Sequence, residues 1–194
     1  MDDFSPDRLR SRAQIQDLMY RWCRAVDRKD WAVVREVFHP EGTDDHGIYR
    51  GGVDGLIDWL SGRHETIERS MHQIGNMLIE FSDDDNALVE TYSLAIQRYS
   101  AEGSQTRSAI AGGAAVGAQP FDMLMFGRYV DHFQRRDGVW KILSRTVVFD
   151  NSTMFPIPEN SPKLGDDWAI SRRDGTDPLW ALRAKLGLGP DFRG

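Results

Sequence analysis

The sequence predicts an α+β fold in which helices are segregated to one face of a mainly antiparallel sheet. Apolar residues recur at helical spacing over roughly the first sixty positions, and the spacing becomes strand-like from about Met71. No glycine-rich nucleotide-binding motif joins a strand to a helix, so a parallel dinucleotide-binding sheet is not indicated.

The first helix is predicted to run from Ser5 to about residue 28. Ser5 is a suitable N-cap and Pro6 fits the first helical turn. Tyr20, Cys23 and Asp27 follow one another at intervals of three and four residues, so they share a face. This face borders the apolar stripe of the helix, formed by Ile15, Leu18, Met19, Trp22 and Val26.

Two more helices are predicted before the sheet. Asp30 caps the second, residues 39–42 end it, and its inward residues are Trp31, Val34, Val37 and Phe38. Residues 43–50 are expected to form a short strand. Gly51 and Gly52 then lead into a third helix, whose buried residues are Val53, Leu56, Ile57 and Leu60.

Two antiparallel hairpins are predicted in the second half of the chain. Residues 71–82 and 87–101 form the first and are joined by an acidic turn. Residues 121–136 and 139–151 form the second, whose turn Asp137-Gly138 is a strong hairpin signal.

The chain is expected to form one domain with a C-terminal extension. Residues 1–155 make the domain, and its small-residue stretch 103–119 predicts a long flexible loop. Residues 156–194 are interrupted by proline, glycine and aspartate, and only residues 178–186 suggest a short helix. We expect this extension to lie on the domain or on a neighbouring subunit.

Composition argues against several classes of protein. The 194 residues carry a net charge of −6 with scattered Lys and Arg, which disfavours a nucleic-acid or anionic-membrane surface. The single cysteine, Cys23, excludes an internal disulfide. No apolar run approaches the roughly 20 residues of a membrane span, and the N-terminal residues do not resemble a signal peptide. A cytoplasmic location is therefore expected by default.

His72 is the main candidate for proton transfer. It shares a predicted strand face with Ile74, Asn76 and Leu78, and an imidazole in such a setting is either a general base or a hydrogen-bonded core residue. Asp27 is either a solvated residue at the helix end or the carboxylate that would accept the Nδ1 proton of His72.

Arg145 and His46 are further candidates. Arg145 alternates with apolar residues on the last strand, so it either meets an anion or forms a salt bridge. The run Asp44-Asp45-His46 has metal-ligand residue types, but no H-E-x-x-H motif or cysteine pair completes it. No metal site is predicted, and His46 is expected to be a secondary pocket residue.

Several short stretches resemble the SnoaL-like branch of the NTF2-like superfamily, which includes hexachlorocyclohexane dehydrochlorinase, scytalone dehydratase and bile-acid 7α-dehydratase. They are Asp7-Arg8-Leu9, Ser11-Arg12-Ala13, Ile15-Gln16-Asp17-Leu18, Val26-Asp27-Arg28, His72, Gly75-Asn76, Glu80-Phe81, Arg135-Arg136-Asp137-Gly138-Val139-Trp140-Lys141 and Arg145-Thr146. The resemblance implies an NTF2-like cone, with a strongly curved sheet packed by N-terminal helices around a central pocket. It also implies catalysis without a cofactor and a homo-oligomer, with a trimer favoured and a dimer as the alternative.

The resemblance also suggests roles for individual residues. Asp27 and His72 match the catalytic pair of the family, and Arg145 matches an arginine that assists the leaving group. Trp22 stands where the dehydrochlorinase has a lysine, which argues against halide elimination. The expected substrate-binding residues are Tyr20, Trp22, His46, Asn76 and Phe149.

The predicted function is that of a cofactor-independent lyase for a mostly apolar cyclic or aromatic small molecule. Asp27 would orient His72, and His72 would act as general base. Loss of water is the expected outcome, and loss of formaldehyde is a variant. The alternatives are an isomerase that uses the same pair, a non-catalytic binding or assembly module, and the small subunit of a ring-hydroxylating oxygenase.

Overall fold

Helix α1, Pro6–Arg28, begins where the sequence predicts. In the computed structural model, which describes residues 4–103 and 119–188, the Ser5 side chain accepts a hydrogen bond from the backbone N–H of Arg8. Lys29 ends the helix in the left-handed conformation, with φ of 57°. The predicted apolar face is confirmed, and its fully buried members are Ile15, Met19, Trp22 and Val26.

Helix α2, Trp31–Glu36, is capped by Asp30, whose side chain accepts from the Val33 backbone N–H. Strand β1, Phe38–Asp45, follows almost at once. The predictions that residues 39–42 end the helix and that the strand starts at 43 are therefore wrong. Tertiary pairing overrides the local pattern, because the Val37 carbonyl accepts from the Ile142 backbone N–H and Phe38 is completely buried.

A turn also interrupts the strand that was expected over residues 43–50. The chain reverses through Gly47, whose φ of 78° suits glycine, and resumes as β2, Arg50–Gly52. The backbone N–H of His46 donates to the Tyr49 carbonyl at 2.8 Å across this turn. His46 consequently lies at the end of β1 rather than within a strand. Helix α3, Val53–Arg63, buries the four apolar residues that were predicted for it.

Both predicted hairpins are present, and the first strand of the first hairpin and the last strand of the second are longer than expected. The first consists of β3, Ile67–Phe81, and β4, Asn86–Tyr99. The second consists of β5, Phe121–Arg136, and β6, Val139–Pro156. Asp137 and Gly138 form its turn with φ values of 51° and 79°, as the Asp-Gly signal predicts.

The six strands form one curved, unclosed sheet in the order β2-β1-β6-β5-β4-β3. Only the β1–β6 pair is parallel among these strands, and the other pairs are antiparallel. The main core lies between this sheet and the N-terminal helices and includes Trp22, Phe38, Leu56, Phe133 and Trp140. The α+β prediction is thus confirmed. No helix in the described part of the chain is long and apolar enough to span a bilayer.

Strand β3 changes face part-way along its length. Its pairing with β4 is regular from Arg69 to Ile74, shifts register, and resumes at Met77. Ile79 beyond the shift is buried, whereas Asn76 and Leu78 are exposed. The prediction that Asn76 and Leu78 share the face of His72 is therefore wrong, because the irregularity inverts the alternation of side chains.

The C-terminal segment includes the predicted short helix, here α4, Pro178–Lys185, capped by Asp177. Upstream of it, the Arg173 side chain is buried against the end of α1 and the start of β3. Most of the loop predicted over 103–119 lies outside the described residues, which resume at Gln119.

Candidate functional site

Asp27 and His72 are in direct contact. The Oδ1 atom of Asp27 accepts hydrogen bonds from His72 Nδ1 at 2.7 Å and from Ser70 Oγ at 2.8 Å. The Oδ2 atom accepts from the His72 backbone N–H at 2.9 Å. Because an ionised carboxylate can only accept, the Nδ1 proton stays on His72 and the Nε2 lone pair is left for chemistry. Three hydrogen-bond donors thus fix the Asp27 carboxylate beside the His72 imidazole.

The Asp27 carboxyl is ionised in this setting. Burial by itself would raise its pKa, but His72 and the Ser70 hydroxyl outweigh that effect and hold the pKa below its ordinary value. The position of Asp27 near the end of α1 brings it to the edge of β3, where Ser70 and His72 project to the same side of the strand. The helix end and the strand face that the sequence predicts therefore meet here.

Arg173 also binds the C-terminal end of α1, through the backbone carbonyls of Val26 and Asp27. Its Nε donates to the Asp27 backbone carbonyl at 2.8 Å, and its Nη2 donates to the Val26 carbonyl at 3.1 Å. Its Nη1 donates to the Ile67 carbonyl at 2.7 Å, at the start of β3. Burial lowers the pKa of Arg173 to about 10, so the side chain remains a cation at neutral pH. A residue of the C-terminal extension therefore links the elements that carry the pair.

His72 opens onto a cavity of about 470 Å³. Its polar wall includes His46, Arg63, Tyr129 and Asp150. Its apolar wall includes Ile48, Trp59, Met125, Phe126, Val147 and Phe149. A concave chamber that combines large apolar side chains with polar groups can serve as a small-molecule site.

A second imidazole–carboxylate pair lies on the wall of this cavity. His46 Nδ1 is hydrogen-bonded to Oδ1 of Asp44, which is fully buried on β1. The His46 ring also packs against Trp59, with ring centroids 5.3 Å apart. His46 therefore lines the cavity, and behind it lies a carboxylate that the sequence analysis considered only as a metal ligand. In the part of the chain that the structure describes, no cluster of three potential metal ligands is present.

Arg145 does not line the cavity, contrary to its predicted place beside a leaving group. Its Nε and Nη2 atoms each donate to Asp131 at 2.7 Å, and neither side chain has any exposed surface. Burial alone would lower the pKa of Arg145, but the Asp131 carboxylate more than offsets this and the pKa lies above its ordinary value. The guanidinium packs 4.2 Å from the Tyr129 ring centroid and 4.5 Å from that of Trp22.

Strand register explains this burial. Asp44, Arg145 and Asp131 are direct cross-strand neighbours on β1, β6 and β5. The row contains two carboxylates and one guanidinium, and Arg145 pairs with Asp131. Buried charges are normally paired, and the Asp44 carboxylate is hydrogen-bonded to His46 instead.

Two other expected pocket residues lie elsewhere. Tyr20 is 57% exposed on α1, beside Asp17 and Arg24, about two helical turns before Asp27. Trp22 is a core residue at 1% exposure, with its ring edge-on to that of Phe38.

Asn76 is also absent from the cavity wall, owing to the face change in β3. His46 and Phe149 do line the cavity. Cys23 is buried, and burial raises the pKa of its thiol to about 12, which makes it a poor nucleophile at neutral pH.

The sequence analysis missed several polar residues of the site, among them Ser70, Tyr129, Arg63 and Asp150. Ser70 was detectable, since it stands two positions before His72 and therefore shares its strand face. Tyr129 reaches the cavity from β5, and Arg63 reaches it from the end of α3. Nothing in the local pattern of either residue distinguishes it from a surface or core residue.

Residues 7–146 match the family model of the SnoaL-like domain. The chain belongs to this family. The shared fold, with its N-terminal helices and curved six-stranded sheet, places it within the NTF2-like superfamily, as the resemblance implied. No curated protein sequence matches the chain.

Solved structures support the fold. The hexachlorocyclohexane dehydrochlorinase LinA-type3 from Novosphingobium barchaimii is 22% identical with a TM-score of 0.64, over 81% of this chain and 98% of the other. A scytalone dehydratase-like protein from Novosphingobium aromaticivorans is 20% identical with a TM-score of 0.61, over 81% and 98%. A point variant of Rv3472, a protein of unknown function from Mycobacterium tuberculosis, is 19% identical with a TM-score of 0.57, over 92% and 94%. At these identities the similarity establishes the fold alone.

Proposed function

We propose that this SnoaL-like protein is a cofactor-independent lyase for a mostly apolar cyclic or aromatic small molecule, with His72 as its general base. The observation that carries the proposal is the Asp27–His72 hydrogen bond of 2.7 Å at the wall of a cavity that is partly lined by large apolar side chains. A histidine held in one tautomer by a buried carboxylate is a standard arrangement for proton abstraction. The enzymes named among the structural neighbours are consistent with elimination chemistry.

The proposed reaction is a β-elimination of water. Nε2 of His72 removes a proton from carbon, the electrons of that bond form the new double bond, and the adjacent carbon–oxygen bond breaks. His46 donates the proton that converts the departing hydroxyl into water, and Asp44 stabilises the imidazolium before the transfer. His46 replaces Arg145 in this role, because Arg145 is buried against Asp131.

Asp27 keeps His72 basic throughout the cycle. Its carboxylate fixes the ring through Nδ1 and stabilises the positive charge that forms when Nε2 takes a proton. In Asp27→Asn, the side-chain amide N–H could face Nδ1 of His72. Nδ1 would then lose its hydrogen-bond acceptor. We expect kcat/KM to fall roughly 10²- to 10⁴-fold in Asp27→Asn.

Mass spectrometry of products tests the proposal. The experiment incubates three proteins with hydroxylated alicyclic and diaryl compounds in the presence of a chelator: wild type, His72→Ala and His132→Ala. His132→Ala is the control, because His132 contacts Asn86 away from the cavity. A product lighter by water, formed by wild type and His132→Ala but not by His72→Ala, is expected. A product lighter by formaldehyde would instead support carbon–carbon cleavage by the same base.

Two other outcomes contradict a lyase. A product of unchanged mass but altered double-bond position would indicate an isomerase, in which His46 returns the proton at a second carbon. Ligand-induced thermal stabilisation without any turnover would favour the binding or assembly module.

We further propose that the chain assembles as a homotrimer. The outward face of β3 and β4 carries four large apolar side chains that are 48–57% exposed: Met71, Leu78, Leu88 and Tyr92. Large exposed apolar side chains that share one face of a sheet are typical of an interface.

A further inference from the structure

Arg63 is a cationic cavity residue that the proposed mechanism does not use. It ends helix α3, and its side chain lines the same cavity as His72. Nη2 of Arg63 donates to Gln97 Oε1 at 3.1 Å and to the Tyr99 hydroxyl at 3.0 Å. Burial raises the pKa of Tyr99, so both oxygens belong to neutral side chains at neutral pH.

The positive charge of Arg63 has no carboxylate counterpart among residues 4–103 and 119–188. Its Nη2 also contacts the Met125 sulfur at 3.7 Å, and its Nε is buried with no hydrogen-bond partner in these residues. Asp150, on the cavity wall, is hydrogen-bonded to Arg128 at 3.0 Å. Residues 104–118 contain no Asp or Glu in their sequence.

A line of hydrogen bonds connects this cation to the proposed base. Gln97, which accepts from Arg63, donates its Nε2 to Ser70 Oγ in a longer contact of 3.5 Å. Ser70 donates to Asp27 at 2.8 Å, and Asp27 accepts from His72 at 2.7 Å. Arg63 is therefore oriented by neutral groups on the side of the cavity where His72 lies.

We propose that Arg63 binds an anionic oxygen group of the ligand, in the first place a carboxylate, so that the substrate is an aromatic or alicyclic acid. A guanidinium held near neutral acceptors in a partly desolvated cavity forms strong charge-assisted hydrogen bonds with a carboxylate. The Trp59 ring, 5.7 Å from the guanidinium, provides an apolar surface beside it for the ring of the ligand. This proposal deepens the proposed function, on which it rests for its substrate.

Calorimetric titration with two probes of matched shape tests the assignment. The carboxylate 2-naphthoate and the neutral 2-naphthamide are titrated into wild type, Arg63→Met and Arg21→Met. Arg21 is exposed on α1 and pairs with Asp17, so its replacement changes the net charge equally without touching the cavity. We expect wild type and Arg21→Met to bind naphthoate at least about tenfold more tightly than naphthamide.

Arg63→Met should lose this preference while still binding naphthamide, and Arg63→Lys, which keeps the charge, should retain part of it. Equal affinity of wild type for both probes, or no binding of naphthoate up to millimolar concentration, overturns the proposal without requiring a variant. An unaltered preference in a folded Arg63→Met also overturns it.

His72→Ala separates this proposal from the proposed function. It should keep the preference for naphthoate, since His72 is assigned to chemistry rather than to anion binding. A carboxylate preference without turnover of any acid would leave the anion site standing and reject the lyase. Turnover that depends on His72, in a protein without a carboxylate preference, would support the lyase and reject the anion site.

Discussion

Asp27 is the residue whose ionisation most directly connects the site to stability. The pKa of its carboxyl is lower in the folded protein than the value of about 3.9 in an unfolded chain. A depressed pKa means that the ionised group stabilises the fold above the unfolded pKa, and that this contribution is lost as the pH falls through the folded pKa.

Comparing the free energies of unfolding of Asp27→Asn and wild type over a range of pH values therefore isolates this contribution. We expect wild type to exceed the variant in free energy of unfolding at pH 5, and the difference to shrink as the pH falls below about 4. Urea unfolding at several pH values measures it. A difference that stays constant down to pH 2.5 would mean that the folded carboxyl titrates normally.

Arg145 is expected to stabilise the core rather than take part in the reaction. Arg145→Met leaves Asp131 buried without its partner and should cost about 3–5 kcal/mol of unfolding free energy. The double variant Arg145→Met/Asp131→Leu removes both charges and should recover much of that loss.

Urea denaturation measures the stability of both variants, and turnover of the double variant is the second measurement. We expect its turnover to stay within about tenfold of wild type, since neither residue lines the cavity. A double variant that is as stable as wild type but inactive would return Arg145 to the leaving-group role.

Arg145, which was predicted beside the leaving group, shows which properties of a single residue can be predicted from sequence. Its alternation with apolar residues correctly indicates burial, and a salt bridge was one of the two alternatives. The partner, Asp131, is fixed by the register of β5 against β6, including an irregularity between His132 and Phe133. Local patterns do not determine cross-strand register at such a site. Asp27 and His72 were easier to relate, because the family resemblance supplies the pairing that spacing alone does not.

Among the elements, the predicted boundaries failed where tertiary pairing competes with local preference. The helix starts at Ser5 and Asp30 follow from capping chemistry, which is local. The start of β1 depends on a parallel partner about a hundred residues away, Ile142, and could not be inferred from nearby residues. The face change in β3 has the same origin and removes Asn76 from the site.

The contact between the C-terminal segment and α1 leads to a prediction at this scale. Arg173 donates to the carbonyls of Val26 and Asp27, where a helix end presents unsatisfied acceptors. Arg173→Ala should therefore loosen the end of α1 and lower kcat more than it raises KM, because the substrate does not contact Arg173.

Added guanidinium at low millimolar concentration should restore part of the activity of Arg173→Ala by occupying the vacated position. Steady-state kinetics with and without guanidinium, next to the exposed control Arg172→Ala, provides the measurement. A variant with full activity, or one that guanidinium does not improve although it is folded, would reject this positioning role.

The proposed trimer belongs to the scale of the whole molecule. Light scattering on a size-exclusion column should give a mass of about 66 kDa, three times the 22.1 kDa chain. Leu78→Lys, on the outward apolar face of β3, should shift the protein to smaller species by placing a charge in the interface. Leu182→Lys, on exposed α4, is the matched control and should not do so. A 22 kDa mass for wild type at all concentrations would contradict the trimer.

The attachment of Arg173 to the end of α1 also bears on when this protein can become active during its synthesis. The first helix is translated before the strand that carries His72. Arg173, which joins these two elements, follows His72 by about a hundred residues. A nascent chain that ends between them would carry its base without the Arg173 contacts. On the proposed function, chemistry is withheld until Arg173 has been translated and has docked.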